Sequence, residues 1–319
     1  MEAGVEKGVV GPVPGRRVPV HESPEVHAFL AADASQQAAL LERWGLGRAV
    51  ALMMVNACEN RCFFCANPGT IAVPPELVTR WDHLARHLAG RPADTVRLLI
   101  GGNEPALHPD FDRVMETAWE LGYREVELMT SGLQLGGARL APWVAHGLRG
   151  VAVPIYGATA APHDEVCGTV CFDRLVAGLD AAHAAGVRIW LHTLALRRTV
   201  DGLGELAAWA WDRWQAPVAV APLREKDGQF RYDTETVPLS ELQARLPGLP
   251  PSLHLVGMPA CLDRGRARGS ATVIEMYFRT QLRAWDPSCA ACADRPTCAG
   301  VVAAQLQRWG ADGLAPRAV

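Results

Sequence analysis

Lysine is nearly missing from this chain of 319 residues: Lys7 and Lys226 are the only two, and arginine supplies almost all the positive charge. An excess of either sign is missing too, with 31 Lys and Arg against 34 Asp and Glu and a formal net charge of −3. That balance argues against a nucleic-acid or membrane-surface binder. The N-terminus, Met-Glu-Ala-Gly-Val-Glu, has no basic region followed by an apolar core, and no apolar run reaches membrane-spanning length. Nine clustered cysteines without a secretory signal favour a reducing compartment and metal ligation over disulfides. The expected location is the cytoplasm. At 49% hydrophobic residues the chain is long enough for one large α/β domain and a small appendage.

A fourth cysteine is absent at one telling place. Cys58, Cys62 and Cys65 form a CX3CX2C triplet directly after the apolar run Ala49–Val55. Three thiolates on one loop hold an iron–sulfur cluster and leave one iron without a protein ligand, whereas four close it. An open coordination position marks a catalytic metal site. A zinc loop or a chance grouping is the competing reading, but zinc favours four closed ligands and no histidine lies near this loop. The spacing, with Phe64 just before the last cysteine, resembles the radical SAM superfamily. The resemblance implies a [4Fe–4S] cluster whose unique iron is chelated by the amino and carboxylate groups of S-adenosylmethionine. Reductive cleavage of that cofactor would give a 5′-deoxyadenosyl radical that abstracts hydrogen from a substrate, with flavodoxin or ferredoxin as the kind of electron donor required. It also places Phe64 among the cofactor-binding residues.

From position 49 the pattern alternates strand and helix, which predicts a parallel sheet of βαβ units. Strands are expected at 49–56, 95–100, 124–129, 149–155, 187–194 and 217–222, with helices near 75–89, 109–121, 138–146, 172–185 and 201–215. The fold class is α/β, a partial (β/α)6 TIM-like barrel with a small C-terminal cysteine-rich extension. Residues 1–48 form an N-terminal segment with one helix, expected at 24–44, and residues 49–222 form the core. Residues 223–258 are a connector with a helix at 239–246, and 259–319 carry the extension. In parallel α/β folds ligands gather at the carboxyl ends of the strands, and the triplet follows the first strand at that end.

Strand two ends in Gly101-Gly102-Asn103-Glu104-Pro105, where the superfamily has Gly-Gly-Glu to receive the methionine ammonium of the cofactor. Asn103 stands where the Glu is expected and Glu104 follows it, so either side chain is a candidate acceptor. Strand three ends in Thr130-Ser131-Gly132, comparable to the superfamily's Thr-Asn-Gly, which makes Thr130 and Ser131 candidates for cofactor contact. Tyr156 and His163-Asp164 follow strand four, near the ribose or the substrate. His192 is expected to be a packed barrel histidine, and Arg224 and Glu225 lie on the functional rim. Cys167 and Cys171 are expected on a loop, as buried or incidental cysteines rather than a catalytic thiol.

Cys289, Cys292 and Cys298 form CX2CX5C, with Cys261 upstream. Four thiolates fully ligate a second cluster; a four-cysteine zinc site is the alternative. The spacing resembles the SPASM and twitch extensions of radical SAM enzymes, which implies one auxiliary [4Fe–4S] cluster, since Val302 stands where a further SPASM cysteine is expected. The resemblance implies a substrate that is either a ribosomally made peptide undergoing oxidation, cross-linking or epimerisation, or a small molecule such as a sugar or aminocyclitol. The first 48 residues are too short for the recognition domain many peptide maturases carry. A non-catalytic iron–sulfur or zinc module is the remaining alternative. Neither nucleic acid nor membrane is an expected partner.

Overall fold

The computed structural model of the chain describes residues 28, 29, 31–55, 57–65, 78–223, 232–262, 283–296 and 298–318. Short runs rich in Val, Leu and Ile form seven parallel strands: β1 (Val50–Met53), β2 (Arg97–Gly101), β3 (Glu125–Met129), β4 (Leu148–Pro154), β5 (Arg188–Leu194), β6 (Val218–Ala221) and β7 (Leu253–Leu255). They lie in one sheet in sequence order. Each crossover therefore steps to the next strand, which winds the sheet into a partial barrel.

Before the first strand, α1 (Ala34–Arg43) packs on β1; the helices that make these crossovers include α2 (Trp81–Ala89), α3 (Phe111–Glu120), α4 (Leu140–Ala145), α5 (Ala160–Cys167), α6 (Phe172–Ala184) and α7 (Leu203–Trp214). The connector contributes α8 (Tyr232–Glu235) and α9 (Leu239–Arg245), and the tail α10 (Ala303–Trp309). Among the described residues, no helix is long and apolar enough to cross a membrane.

Three differences from the sequence reading have physical causes. The connector contains a seventh strand, β7, in register with β6 through Val218↔Leu253 and Val220↔Leu255. Its three residues are too few for an alternation signal, and its pairing with β6 supplies the ordering. The expected helix over 24–44 is interrupted before Ala34. There the Asp33 carboxylate accepts from Gln36 N (2.8 Å) while Gln36 Oε1 accepts from Asp33 N (3.0 Å), a capping box that starts α1 afresh. Third, the segment carrying Cys167 and Cys171 is not a plain loop: Cys167 ends α5, and Cys171 caps the start of α6.

Val126, Leu128, Val151, Val153, Val218 and Val220 are fully buried. Val153 packs beside Leu175 of α6 around Gly132, which places this set on the helix side of the sheet. Met129, Pro154, Trp190 and His192, on the alternate positions, keep partial exposure. Strands alternate their side chains between faces, so this inner face is the less completely buried one. In the tail, β8 (Arg283–Ala284) and β9 (Val301–Val302) form an antiparallel pair. Gln305 donates to the Val237 carbonyl (3.1 Å) and Arg308 pairs with Asp233, which fastens the tail to the connector.

Candidate functional site

The exits of β1 and β2 are sewn together by their backbones. Asn103 N donates to Val55 O and Glu104 N to Ala57 O, each at 2.9 Å. Gly102 sits between them at φ +128°, and a Cβ there would lie 2.6 Å from the Val55 carbonyl oxygen. Only glycine allows that approach.

Beyond this junction the cysteine loop turns through Cys65 N to Cys62 O (2.9 Å), while Asn60 N donates to Cys58 Sγ (3.4 Å). The loop is clamped from the β4 side of the barrel. Arg61 N donates to Cys167 O (2.8 Å) and Phe63 N to Val166 O (3.4 Å). Thr169 Oγ1 donates to Asn60 Oδ1 (2.9 Å), and Glu59 takes Arg174 (2.7 Å) and Gln134 (2.9 Å). Phe64 meets Tyr156 edge-on at 5.6 Å, and the Arg198 guanidinium lies 4.5 Å from the Phe63 ring centre. Phe63 and Phe64 pack against the core, and these contacts together hold the loop's shape.

Glu104 lies inside this junction with no exposed surface. Its carboxylate accepts from Ala106 N (3.1 Å), Thr130 Oγ1 (2.9 and 2.8 Å), Ser131 N (2.6 Å) and Ser131 Oγ (2.5 Å). Burial pushes the Glu104 carboxyl above its usual range, and the hydrogen bonds from Ser131 and Thr130 oppose that rise. Thus Glu104, Thr130 and Ser131, separately picked out from the sequence, form one network. Asn103 is half-buried beside it. Burial is also the main cause that raises the Cys58 thiol, with Glu104, Cys62 and Cys65 adding to it, so the carboxylate and the three sulfurs share one field. A cationic centre bound here would reverse that logic, since bound cations draw thiols to thiolates.

The four tail cysteines also converge. Cys261, Cys289, Cys292 and Cys298 line one small pocket together with Trp285 and Arg295, whose guanidinium lies 3.9 Å from the Trp285 ring centre. Ala260 N and Gly300 N donate to Cys298 Sγ at 3.2 and 3.4 Å. Zinc–sulfur bonds of about 2.3 Å in a tetrahedron set the sulfurs about 3.8 Å apart. Among the described residues the group whose ligand atoms all approach within 4.8 Å is instead His163, Cys167 and Cys171. The triplet and the tail cysteines are not grouped that tightly.

His163 is a residue the sequence reading named without connecting it to the two cysteines. It lies one turn before Cys167 on α5, with Nε2 3.3 Å from Cys167 Sγ. Their i, i+4 spacing is the signal that would have found the pair. Asp164 Oδ1 accepts from Cys171 N and Phe172 N, both at 2.9 Å, which orients the start of α6. His192 sits on the inner face of β5, and burial lowers it to about 4. Arg224 and Glu225 lie outside the described residues.

Residues 52–210, from β1 into α7, match the model of the radical SAM superfamily. The chain belongs to the radical SAM superfamily. These are enzymes that bind a [4Fe–4S] cluster and S-adenosylmethionine, and the matched segment contains the triplet, the Glu104 network and the α5 clamp. Among curated radical SAM relatives, the GTP 3′,8-cyclase of Nitrobacter hamburgensis is 30% identical over 63% of this chain and 61% of its own length. The mycofactocin maturase MftC of Mycobacterium tuberculosis is 32% identical over 60% of this chain and 48% of its own. The chain thus spans about half to three fifths of the length of these relatives. A solved structure of Streptococcus suis SuiB bound to precursor peptide SuiA has the same fold, with a TM-score of 0.51 at 16% identity over 70% of this chain and 53% of that one.

Proposed function

We propose that this protein is a radical SAM enzyme that matures a peptide by hydrogen abstraction. Cys58, Cys62 and Cys65 would hold the [4Fe–4S] cluster, and their donor set fits it: three soft thiols on a loop fixed at the carboxyl end of β1, with no fourth protein ligand in the CX3CX2C loop. When bound, cluster and S-adenosylmethionine together supply a 5′-deoxyadenosyl radical. The chain's own residues provide placement. Gly102 lets the β2 exit close onto the loop, Asn103 and Glu104 offer an acceptor oxygen and a negative charge to the methionine ammonium, and Thr130 and Ser131 hold the carboxylate in place. Phe64, Gly101 and Tyr156 complete the wall beside the loop. The observation that carries this reading is the convergence of the three-thiol loop with the Glu104 network at one end of the barrel, joined by the Glu104 N to Ala57 O bond next to Cys58.

The less buried inner face of the sheet is where a substrate would meet the cofactor. Likeness to a curated maturase supports a peptide substrate. The tail cysteines, convergent on one cavity, support an auxiliary [4Fe–4S] cluster bound by Cys261, Cys289, Cys292 and Cys298. A cytoplasmic reductant of the flavodoxin or ferredoxin class would deliver electrons. Likeness to a curated GTP cyclase favours a second reading, a small-molecule substrate.

The test is iron and sulfide content after anaerobic reconstitution, with 5′-deoxyadenosine formed on adding dithionite and S-adenosylmethionine. About eight irons per chain, falling to about four with loss of 5′-deoxyadenosine in C58A/C62A/C65A, is the expected result. Iron unaffected by the triple substitution would sink the proposal. Incubation with deuterated candidate substrates then separates peptide from nucleotide or sugar, because only the true substrate passes deuterium to 5′-deoxyadenosine.

A further inference from the structure

Three buried side chains beside the cysteine loop have no part in the chemistry proposed above. The sulfurs of Cys167 and Cys171 and a ring nitrogen of His163 lie within 4.8 Å of one another. Such a trio invites a metal, but the hydrogen bonds set the histidine against one. Tyr156 N–H donates to His163 Nδ1 at 3.3 Å, so the ring proton sits on Nε2, 3.3 Å from Cys167 Sγ. Metal-ligating histidines do the opposite: one nitrogen binds the ion and the other donates its N–H. What remains is a pair of neighbouring thiols with a ring N–H beside them.

The pair spans a turn that stands in solvent. Cys167 ends α5 and Cys171 immediately precedes α6, and both are buried. Of the three residues between them, Gly168 is exposed and Val170 is 95% exposed. A small oxidant therefore reaches the sulfurs when this one turn opens, with no strand displaced. On its inner side the turn is fastened to the cluster loop. Arg61 N donates to Cys167 O at 2.8 Å, and a Cβ on Gly168, which has φ +65°, would lie 2.8 Å from the Arg61 carbonyl oxygen. That contact has no slack, and Arg61 adjoins Cys62.

We propose that Cys167 and Cys171 are a reversible dithiol–disulfide couple, oxidised by peroxide, whose closure frees the cluster loop from α5. The meaning of that release for the cluster rests on the reading of the triplet; the couple itself does not. Cys171, at the N-terminus of α6 where a thiolate is favoured, attacks one peroxide oxygen. The O–O bond breaks, hydroxide leaves, and the sulfur becomes a sulfenic acid. The Cys167 sulfur then attacks it: the S–S bond forms, the S–O bond breaks, and the departing hydroxyl takes the Cys167 proton as water. Two thiols and one hydrogen peroxide thus give a disulfide and two waters, with two electrons passing from sulfur to oxygen. A small dithiol reverses the step by exchange. Sulfurs up to 4.8 Å apart must close to about 2.05 Å, which pulls Cys167 and its carbonyl off Arg61.

The full chain, metal-free and reduced, is exposed to hydrogen peroxide in slight excess, alkylated and digested with trypsin. Residues 150–174 form one tryptic peptide whose only cysteines are Cys167 and Cys171. That peptide should lose about 2 Da, resist alkylation, and recover both thiols with dithiothreitol. Amide hydrogen exchange across Arg61 and Phe63 should then run roughly threefold or more faster than in the reduced chain, with no such rise in peroxide-treated C167S/C171S. If the double variant does not fold, C171S, which cannot close the bond, serves as the control. Thiols still open to alkylation after peroxide, or a mass loss seen only in urea, overturn the proposal. So does exchange that is unchanged, or that rises equally in the control. Zinc bound by wild type as purified and lost from C167S/C171S would mean a metal site and overturn it as well. Failure of the triplet reading shows separately, as no iron lost from C58A/C62A/C65A after reconstitution.

Discussion

Replacing Glu104 with Gln keeps the side chain's size and converts one of its two acceptor oxygens into an NH2 donor. The fully buried carboxylate receives two backbone donors, Ala106 N on one oxygen and Ser131 N on the other. The Thr130 and Ser131 hydroxyls can rotate to accept from an amide; backbone N–H groups cannot. Whichever way the amide is turned, one of the two N–H groups faces another donor. A buried unsatisfied donor costs roughly 1–3 kcal/mol, and the surviving bonds lose the strength a charged acceptor gave them, roughly another 1 kcal/mol. Relief of burying a charge offsets part of this, since burial raises the carboxyl's pKa. The net expectation is about 1–3 kcal/mol of lost stability. Unfolding of a chain of this size with bound clusters is best read as a midpoint at a common scan rate. The midpoint of E104Q should fall by on the order of 5–10 °C, with weaker S-adenosylmethionine binding by calorimetry. Asn103→Ala should weaken that binding while leaving the midpoint within about 2 °C, because Asn103 is only half-buried. A midpoint for E104Q equal to that of wild type would refute the argument that this carboxylate is fastened by fixed donors.

Two further outcomes follow from the same geometry. Gly102→Ala places a methyl 2.6 Å from the Val55 oxygen at φ +128°. It should separate the β1 and β2 exits, cost several kcal/mol, and reduce iron at the triplet while tail iron is retained, as measured by iron content in a C289A/C292A background against the single variant. His192 is lowered to about 4 by burial, against an ordinary value of about 6.5. Because the folded value is depressed, the folded chain binds fewer protons than the unfolded one as pH falls below about 6.5, and stability is lost toward pH 4. Between pH 7 and pH 5 that loss is about 2 kcal/mol. His192→Gln should remove that share of the acid dependence, measured by urea unfolding of the metal-free reduced chain at the two pH values. An identical pH dependence in wild type and variant would count against a neutral His192 whose Nδ1 is shielded from water.

The sequence by itself pointed to the family and to a candidate cluster loop. CX3CX2C after an apolar run specifies an open thiol set, because three ligands and their spacing are properties of a few consecutive residues. The βα alternation likewise specified the parallel sheet, because burial on both faces leaves Val- and Leu-rich runs. Glu104, Thr130 and Ser131 could each be picked out by their place at a strand exit. Only the tertiary structure decided that they are one network, since the pairing of β2 with β3 sets which exits adjoin. β7 escaped notice because three residues carry no period, and its order comes from β6. Cys167 and Cys171 read as incidental, since nothing in their spacing tells that Gly168 and the Arg61 and Phe63 backbone bonds press α5 against Cys62. Which residues are candidates to carry metal chemistry is local and legible. Which atoms surround it depends on contacts between segments about 100 residues apart, and those are made only when the sheet closes its crossovers.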